Sequence, residues 1–418
     1  MQKNIRLFMT KSHCNNMKIL YIHQYFGTPR EPGGTRSYWI SQELIKRGHQ
    51  VTVITSSVKD KSKKGHVNVD GIDVVYLEND YNGTMSRLSK VWSFVKFIKK
   101  AVDAASKEKD VDLVYATSTP LTVGYIAMRL KKKMGWRYVF EVRDLWPEFP
   151  IQVGAIRSKW IIKFLRNLER KIYERSEHVV ALSPGMQDGV IAAGTPKEKT
   201  SMVPNMSKPD KFYPHEKNLE VAKQFDVDLE KFNVIHFGSM NPANGLEYIL
   251  ETAQILQNKG RDDIRLLFMG GGSVEPHIRQ LADEMELKNV QFLGIHPMAT
   301  VTEVVNLCDV SVTTFRNLPV LQTNSPNKLF DSLSAGLPIV VNSAGWTKDM
   351  VENENCGFFV DPDNANDFAE KLLLYKDDKE KLKVWGENAR RLSVEVYDKD
   401  ILSAQVADVL EKVYNSKK

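Results

Sequence analysis

Short apolar, β-rich runs alternate with helical patterns along the whole chain, and the alternation occurs twice. In the first half, strands are predicted at 18–25, 50–56, 72–77, 112–117, 138–142 and 178–182, with helical periodicity between most of them, as at 36–47 and 121–133. The second half repeats the plan at 233–237, 265–269, 290–293, 310–315, 338–341 and 357–360, with helices over 245–258, 274–285 and 300–307. Such alternation requires parallel strands joined by crossover helices that cover both faces of a sheet. Two sets of about six strands therefore predict an α/β protein of two doubly wound domains facing across a cleft. The boundary falls in the proline-containing polar stretch 203–210, which gives an N-terminal domain over 17–205 and a C-terminal domain over 206–395. A last helix within 396–418 has two possible homes, one of them back on the N-terminal domain. Ligands of doubly wound sheets bind outside the carboxyl ends of the strands, so the loops there are where function is to be sought.

The segment Asn324-Ser-Pro-Asn-Lys-Leu-Phe-Asp331 reads as a helix start, with Gly336 as its stop and Leu337–Val341 as the strand that follows. Ser325 is the expected cap, with Pro326 in the first turn. Lys328 beside a free helix start makes a ready phosphate site. Asp331, one turn on, has the acceptors to take two ribose hydroxyls. The pattern predicts a nucleoside diphosphate site, although an ordinary helix with a surface lysine and aspartate fits the spacing equally well.

Other strand-end loops have suitable chemistry. Gly33 and Gly34 permit a tight turn and close approach by a ligand, but the loop is neither a dinucleotide fingerprint nor a P-loop. Arg143 and Asp144 end a strand and face either the cleft or each other as a loop-fixing pair. The loop at Gly238-Ser239 is the counterpart of the Gly33-Gly34 loop. Gly270-Gly-Gly272 implies backbone lying close to a helix or a ligand, and Gly294-Ile-His-Pro297 offers backbone groups to a flat base.

Composition narrows the class. The three cysteines, at 14, 308 and 356, are scattered, with no metal-ligand spacing, so no metal site is expected and a reducing cytoplasm fits best. Residues 1–16 lack the apolar core of a secretion signal and read as a disordered extension, with Met17 opening the folded body. No apolar run is long enough to cross a bilayer. The net charge of +6 is concentrated in two basic amphipathic segments, 88–100 and 157–171, that place Trp, Phe, Ile and Leu among lysines and arginines. They suit an anionic membrane surface, or equally a core-facing helix with a solvated back. No nucleic-acid motif accompanies the charge.

Gly33-Gly34, Ile40, Glu43-Leu44, Arg47-Gly-His49 and Val51-x-Val-Ile-Thr55, with the Gly270 turn, Phe292-Leu-Gly294 and Ser334-Ala-Gly-Leu-Pro-Ile-Val340, resemble the family 4 retaining glycosyltransferases. That family has the GT-B architecture of two Rossmann-like domains. Asp144-Leu-Trp-Pro147 together with Asn327-Lys-Leu-Phe-Asp331 looks like the branch of N-acetyl-L-fucosamine transferases of bacterial O-antigen and capsule assembly. The resemblance implies a UDP-sugar donor on the C-terminal domain, without a cofactor. It also implies a polyprenyl-diphosphate-linked saccharide acceptor on the N-terminal domain, at the cytoplasmic face of the inner membrane. It places Gly33, Gly34, Gly238, Ser239, Gly271, Ile295, His296, Asn324, Ser325, Asn327, Lys328, Leu329 and Asp331 around the donor, with Asp331 in the ribose-binding position. Lys328, Arg143 and Asp144 are the expected catalytic group.

Departures accompany the likeness. Thr323 stands where many members carry a glutamate, and Ser239 and Asn244 stand where they carry the arginine and lysine that meet the diphosphate. Lys328, assisted by Arg143, is the expected replacement. A nucleotide-sugar epimerase of the same architecture and an inactive partner subunit are the competing readings.

Overall fold

A computed structural model describes residues 16–416, apart from 32, 58–61, 80–84, 86 and 119. The expected N-terminal extension therefore lies, except for Asn16, outside the described residues.

The N-terminal lobe is built on β1 (Lys18–Ile22), β2 (Gln50–Ser56), β3 (Gly65–Val69), β4 (Ile72–Leu77), β5 (Leu113–Thr117), β6 (Tyr138–Val142), β7 (His178–Ala181) and β8 (Thr200–Met202). Their order is β3-β4-β2-β1-β5-β6-β7-β8, and every neighbouring pair is parallel except β3 with β4. The six predicted strands are present, and two more flank them. β3 is an exposed, polar edge strand and β8 is only Thr-Ser-Met, so neither carries the apolar run that marks a strand in sequence. The C-terminal lobe holds β9 (Phe232–Ser239), β10 (Ile264–Gly271), β11 (Val290–Gly294), β12 (Val310–Thr313), β13 (Ile339–Val341) and β14 (Gly357–Phe359), all parallel in the order β11-β10-β9-β12-β13-β14.

Strand periodicity feeds a core on each face of each sheet. Ile19 and Tyr21 of β1 enter one cluster, and Leu20 and Ile22 enter the other. In β9, Val234 joins one core while Ile235 and Phe237 join another. Each such side chain contributes roughly 1.5–3 kcal/mol of transfer free energy on burial.

The last helix, Lys399–Asn415, returns to the N-terminal lobe. Leu402, Val406, Leu410 and Val413 share a core with Ile19 and Leu44, and the Arg137 guanidinium donates to the carbonyls of Val413 and Tyr414 at 2.9 Å each. Among the described residues, no helix is long and apolar enough to cross a membrane.

Candidate functional site

The carboxyl ends of β1 and β6 in one lobe meet the start of the Asn327–Ala335 helix of the other. A Cβ built on Gly34 would lie 3.4 Å from Arg143 Nη2 and 3.4 Å from Asn327 Nδ2. Gly34 thus sits between a guanidinium of its own lobe and an amide of the opposite lobe. Gly33, beside it, has φ +113°, a conformation that glycine adopts without strain. The Arg143 amide donates to Ser118 Oγ at 2.8 Å, and its Nη1 lies 3.3 Å from His23 Nε2. The other nitrogen of His23, Nδ1, is 2.8 Å from Ser37 Oγ. His23 follows β1 and was missed in sequence, although a histidine closing an apolar strand is a signal of this kind. Asp144 is half-buried beside Arg143.

Arg36, in the first turn after the Gly33-Gly34 loop, is buried. Its Nε donates to Glu141 Oε1 at 2.9 Å, and its Nη atoms donate to the carbonyls of Val203 and Pro204 in the interdomain segment. Tyr115 and Thr117 hydroxyls complete the shell of Glu141, at 2.7 and 2.6 Å. Burial pushes the Glu141 carboxyl up, but Arg36, Arg143 and the two hydroxyls outweigh it and hold the group below the ordinary glutamate range.

The Asn327–Ala335 helix departs from expectation in three respects. Pro326 is the flanking residue rather than part of the first turn, and no side chain caps the helix. Ser325, the expected cap, lies one residue before the flanking Pro326 and instead accepts the Asn205 amide on its hydroxyl at 3.1 Å. Leu329, expected at the donor, is fully buried with Phe330 and Leu333. Two residues on from Asn327, it projects from the opposite face of the helix. Asn327 and Asp331, by contrast, are four apart on one side of the helix; Asn327 faces Gly34, and Asp331 pairs with Lys208 of the interdomain segment at 2.7 Å. Asn324 gives its carbonyl to the Trp346 indole at 2.6 Å, which anchors the entry to the helix.

Lys328 is not an exposed cation. It is 8% exposed, and its Nζ lies 2.9 Å from His236 Nε2 and 3.4 Å from the Ser239 carbonyl. Burial lowers its pKa to about 7. Burial, and then Lys328 itself, pushes His236 well below the ordinary histidine range, so the imidazole is neutral. His236 is a polar residue inside an apolar strand, and sequence reading passed over it as part of that strand. Gly238 covers the lysine: a Cβ there would come 3.8 Å from Lys328 Cε. Gly238 and Ser239 are themselves exposed at the end of β9.

The glycine run that ends β10 has a structural cause. A Cβ on Gly270 would lie 2.0 Å from the Gly238 carbonyl oxygen, and one on Gly272 would lie 2.2 Å from that of Met240. The close neighbour is thus the backbone of the adjacent strand-end loop, not a helix. Gly271 faces Ile295, whose side chain is 68% exposed. His296 turns Nε2 onto the Leu293 carbonyl at 2.8 Å and its ring edge onto Phe225, so its backbone rather than its imidazole lines the loop. Thr323 is part of a lobe-to-lobe contact, accepting the Ser183 hydroxyl on its carbonyl while its side chain rests against Gly185. Asn244 is spent in a reciprocal capping box with Asn241. Potential metal ligands converge at His66, Asp73 and Glu108, within 4.8 Å of one another, but Lys18 already bonds Glu108 there at 3.0 Å, at the amino end of β1 and away from these loops.

Comparison with known proteins agrees with this architecture. Residues 33–206 match the family model described as "Glycosyl transferase 4-like domain", and 218–392 match "Glycosyl transferases group 1". An alpha-galactosylglucosyldiacylglycerol synthase of Streptococcus pneumoniae is 24% identical over 258 residues, 60% of this chain and 65% of that protein. Sucrose-phosphate synthase from Thermosynechococcus elongatus superimposes with a TM-score of 0.77 at 16% identity, over 96% of this chain and 99% of that one. Anabaena HepE, solved in complex with UDP and glucose, superimposes with a TM-score of 0.70 at 19% identity, over 94% and 99%. The chain is a family 4 glycosyltransferase of the GT-B type, with a glycosyl transferase 4-like lobe followed by a glycosyl transferases group 1 lobe.

Proposed function

We propose that this enzyme moves a sugar, N-acetyl-L-fucosamine in the first instance, from its UDP donor to a polyprenyl-diphosphate-linked saccharide with retention, in O-antigen or capsule assembly. One observation carries the reading: Asn327 stands opposite Gly34 and Arg143 at the start of a helix whose Lys328 lies beneath Gly238 and whose Asp331 follows one turn on. This arrangement supports reading the C-terminal lobe as the donor lobe, with diphosphate and ribose chemistry on that helix, and the N-terminal lobe as the acceptor lobe. HepE, of the same fold, was solved with UDP and glucose.

In the proposed reaction, the bond between the sugar's anomeric carbon and the β-phosphate oxygen breaks, and its electron pair stays with the phosphate. The acceptor hydroxyl forms the new bond on the same face, and its proton passes to the departing phosphate. Protein groups need only stabilise the growing phosphate charge and hold the two reactants in place. Lys328 and Arg143 supply positive charge, Gly34 permits the close approach, and Asp331 holds the ribose. Asp144, next to Arg143 at the end of β6, is assigned to orient the acceptor. Incubating the protein with a panel of UDP-sugars and lipid-linked acceptors, and determining the anomeric configuration, tests the reading. A retained product supports it. An epimerised donor without acceptor, or no thermal shift with UDP, rejects it.

The acceptor's lipid calls for a membrane surface, and two helices have the chemistry for one. In Lys159–Arg175, Trp160 is 82% and Phe164 65% exposed, among exposed Lys159, Lys163 and Arg166. In Arg87–Ala105, Trp92 and Val95 are exposed near Lys96, Lys99 and Lys100. The expected consequence is peripheral attachment to the inner face of the cytoplasmic membrane. Sedimentation with anionic vesicles should then fall as salt rises, and Trp160→Ser should weaken it further. Absence of binding at low salt would dismiss the attachment.

A further inference from the structure

The segment that joins the lobes is fastened along the proposed donor helix. Asn205 N–H donates to Ser325 Oγ at 3.1 Å, Ser207 Oγ donates to the Phe330 carbonyl at 3.0 Å, and Lys208 N–H donates to Ser334 Oγ at 2.9 Å. These bonds fix the Lys208 backbone relative to the helix. Its side chain is buried, and Nζ reaches Asp331 Oδ1 at 2.7 Å, with the Phe212 ring 5.8 Å away on another side. This is not a mobile surface pair, because both members are largely removed from solvent and one is anchored through its main chain.

A carboxylate accepts two hydroxyl hydrogen bonds from a vicinal diol only when it is ionised and correctly turned. Burial raises the Asp331 carboxyl above the ordinary aspartate range, and Lys208 is the group that draws it back down. Lys208 also fixes one carboxylate oxygen, leaving Oδ2 and the remaining lone pairs for a ligand. We propose that Lys208, a residue of the interdomain segment, is a positioning residue for nucleotide recognition, holding the Asp331 carboxylate charged and oriented toward the donor's 2′,3′-diol. The proposal rests on the reading of Asp331 as the ribose-binding carboxylate.

Calorimetric titration of UDP and of 2′,3′-dideoxy-UDP into the full chain tests both. Wild-type protein should prefer UDP by roughly tenfold or more, the scale of hydrogen bonds to a charged group. Lys208→Met should lose most of that preference by weakening UDP alone. Lys208→Arg, which restores the charge, should regain it to within about threefold. A thermal melt establishes that each variant is folded, and a fold defect alone would weaken both nucleotides alike. If Lys208→Met discriminates between the nucleotides as well as wild type does, the role of Lys208 falls while the ribose reading stands. If wild type itself binds UDP and its dideoxy form equally, or binds neither, the ribose reading falls and takes the proposal with it.

Discussion

Each lobe buries a cation near the carboxyl ends of its strands, but the two are partnered differently. In the N-terminal lobe Arg36 meets the carboxylate of Glu141, with Tyr115 and Thr117 completing the shell. In the C-terminal lobe Lys328 meets the neutral imidazole of His236. The first charge is compensated and carries no surplus. The second has no carboxylate among its hydrogen-bond partners, so its positive form is favoured when an anion arrives. The N-terminal pair also ties down the interdomain segment through the carbonyls of Val203 and Pro204, a role in assembly rather than chemistry. Buried cations near the strand ends of two similar lobes thus need not do similar work, and the partner decides which is structural.

The most forceful way to break this contrast is to remove the anion that compensates Arg36. Glu141→Gln leaves a guanidinium that cannot lose its proton buried without a counter-charge, which costs about 3–5 kcal/mol. A large drop in the melting temperature is expected. A variant that melts with wild type would mean that Arg36 is not held by charge pairing.

Lys328→Met is the complementary change. It keeps the volume and removes a buried charge, so the melting temperature should hold or rise. Turnover should fall roughly 10²–10³-fold, the usual effect of deleting one group aimed at transition-state charge. Loss of stability with turnover intact would invert the contrast, making Lys328 the structural cation.

Much of this arrangement was legible in sequence, and what was not has identifiable causes. Central strands such as β2, β4 and β6 announce themselves because both faces are buried and the run is apolar. β3 and β8 lie at the sheet edges and lack that run. Gly34, Asn327, Lys328 and Asp331 stand out in sequence because strand-end glycines and a lysine at a helix start have direct chemical meaning. Their surroundings were not found, since they come from distant segments: His236 from 92 residues before Lys328, Glu141 from 105 residues after Arg36, Lys208 from the connection between lobes. Linear spacing contains no information about such pairs. Ser325 and Leu329 failed for a related reason. A local cap rule cannot anticipate that the Asn205 amide would claim the serine, and a motif match does not say which helix face a leucine occupies.

The finest distinction between the two cations is protonic. Arg36 stays protonated at any working pH, whereas the unliganded Lys328 titrates near about 7, well below its unfolded value of 10.5. Between those two values the unfolded chain holds more protons than the folded one, so this lysine makes stability rise with pH through that window, while below about pH 7 the whole cost of burying its charge is present. A bound diphosphate favours the ammonium form and raises the pKa. Binding of UDP above about pH 7 should therefore take up close to one proton, and the affinity should fall by at most tenfold per pH unit. Calorimetry in two buffers of different ionisation enthalpy measures the proton directly. His236 stays neutral across this range and contributes nothing to the uptake. Lys328→Met should abolish the uptake and Glu141→Gln should leave it in place. Proton uptake that persists in Lys328→Met would assign the titration to another group and remove the difference between the two buried cations.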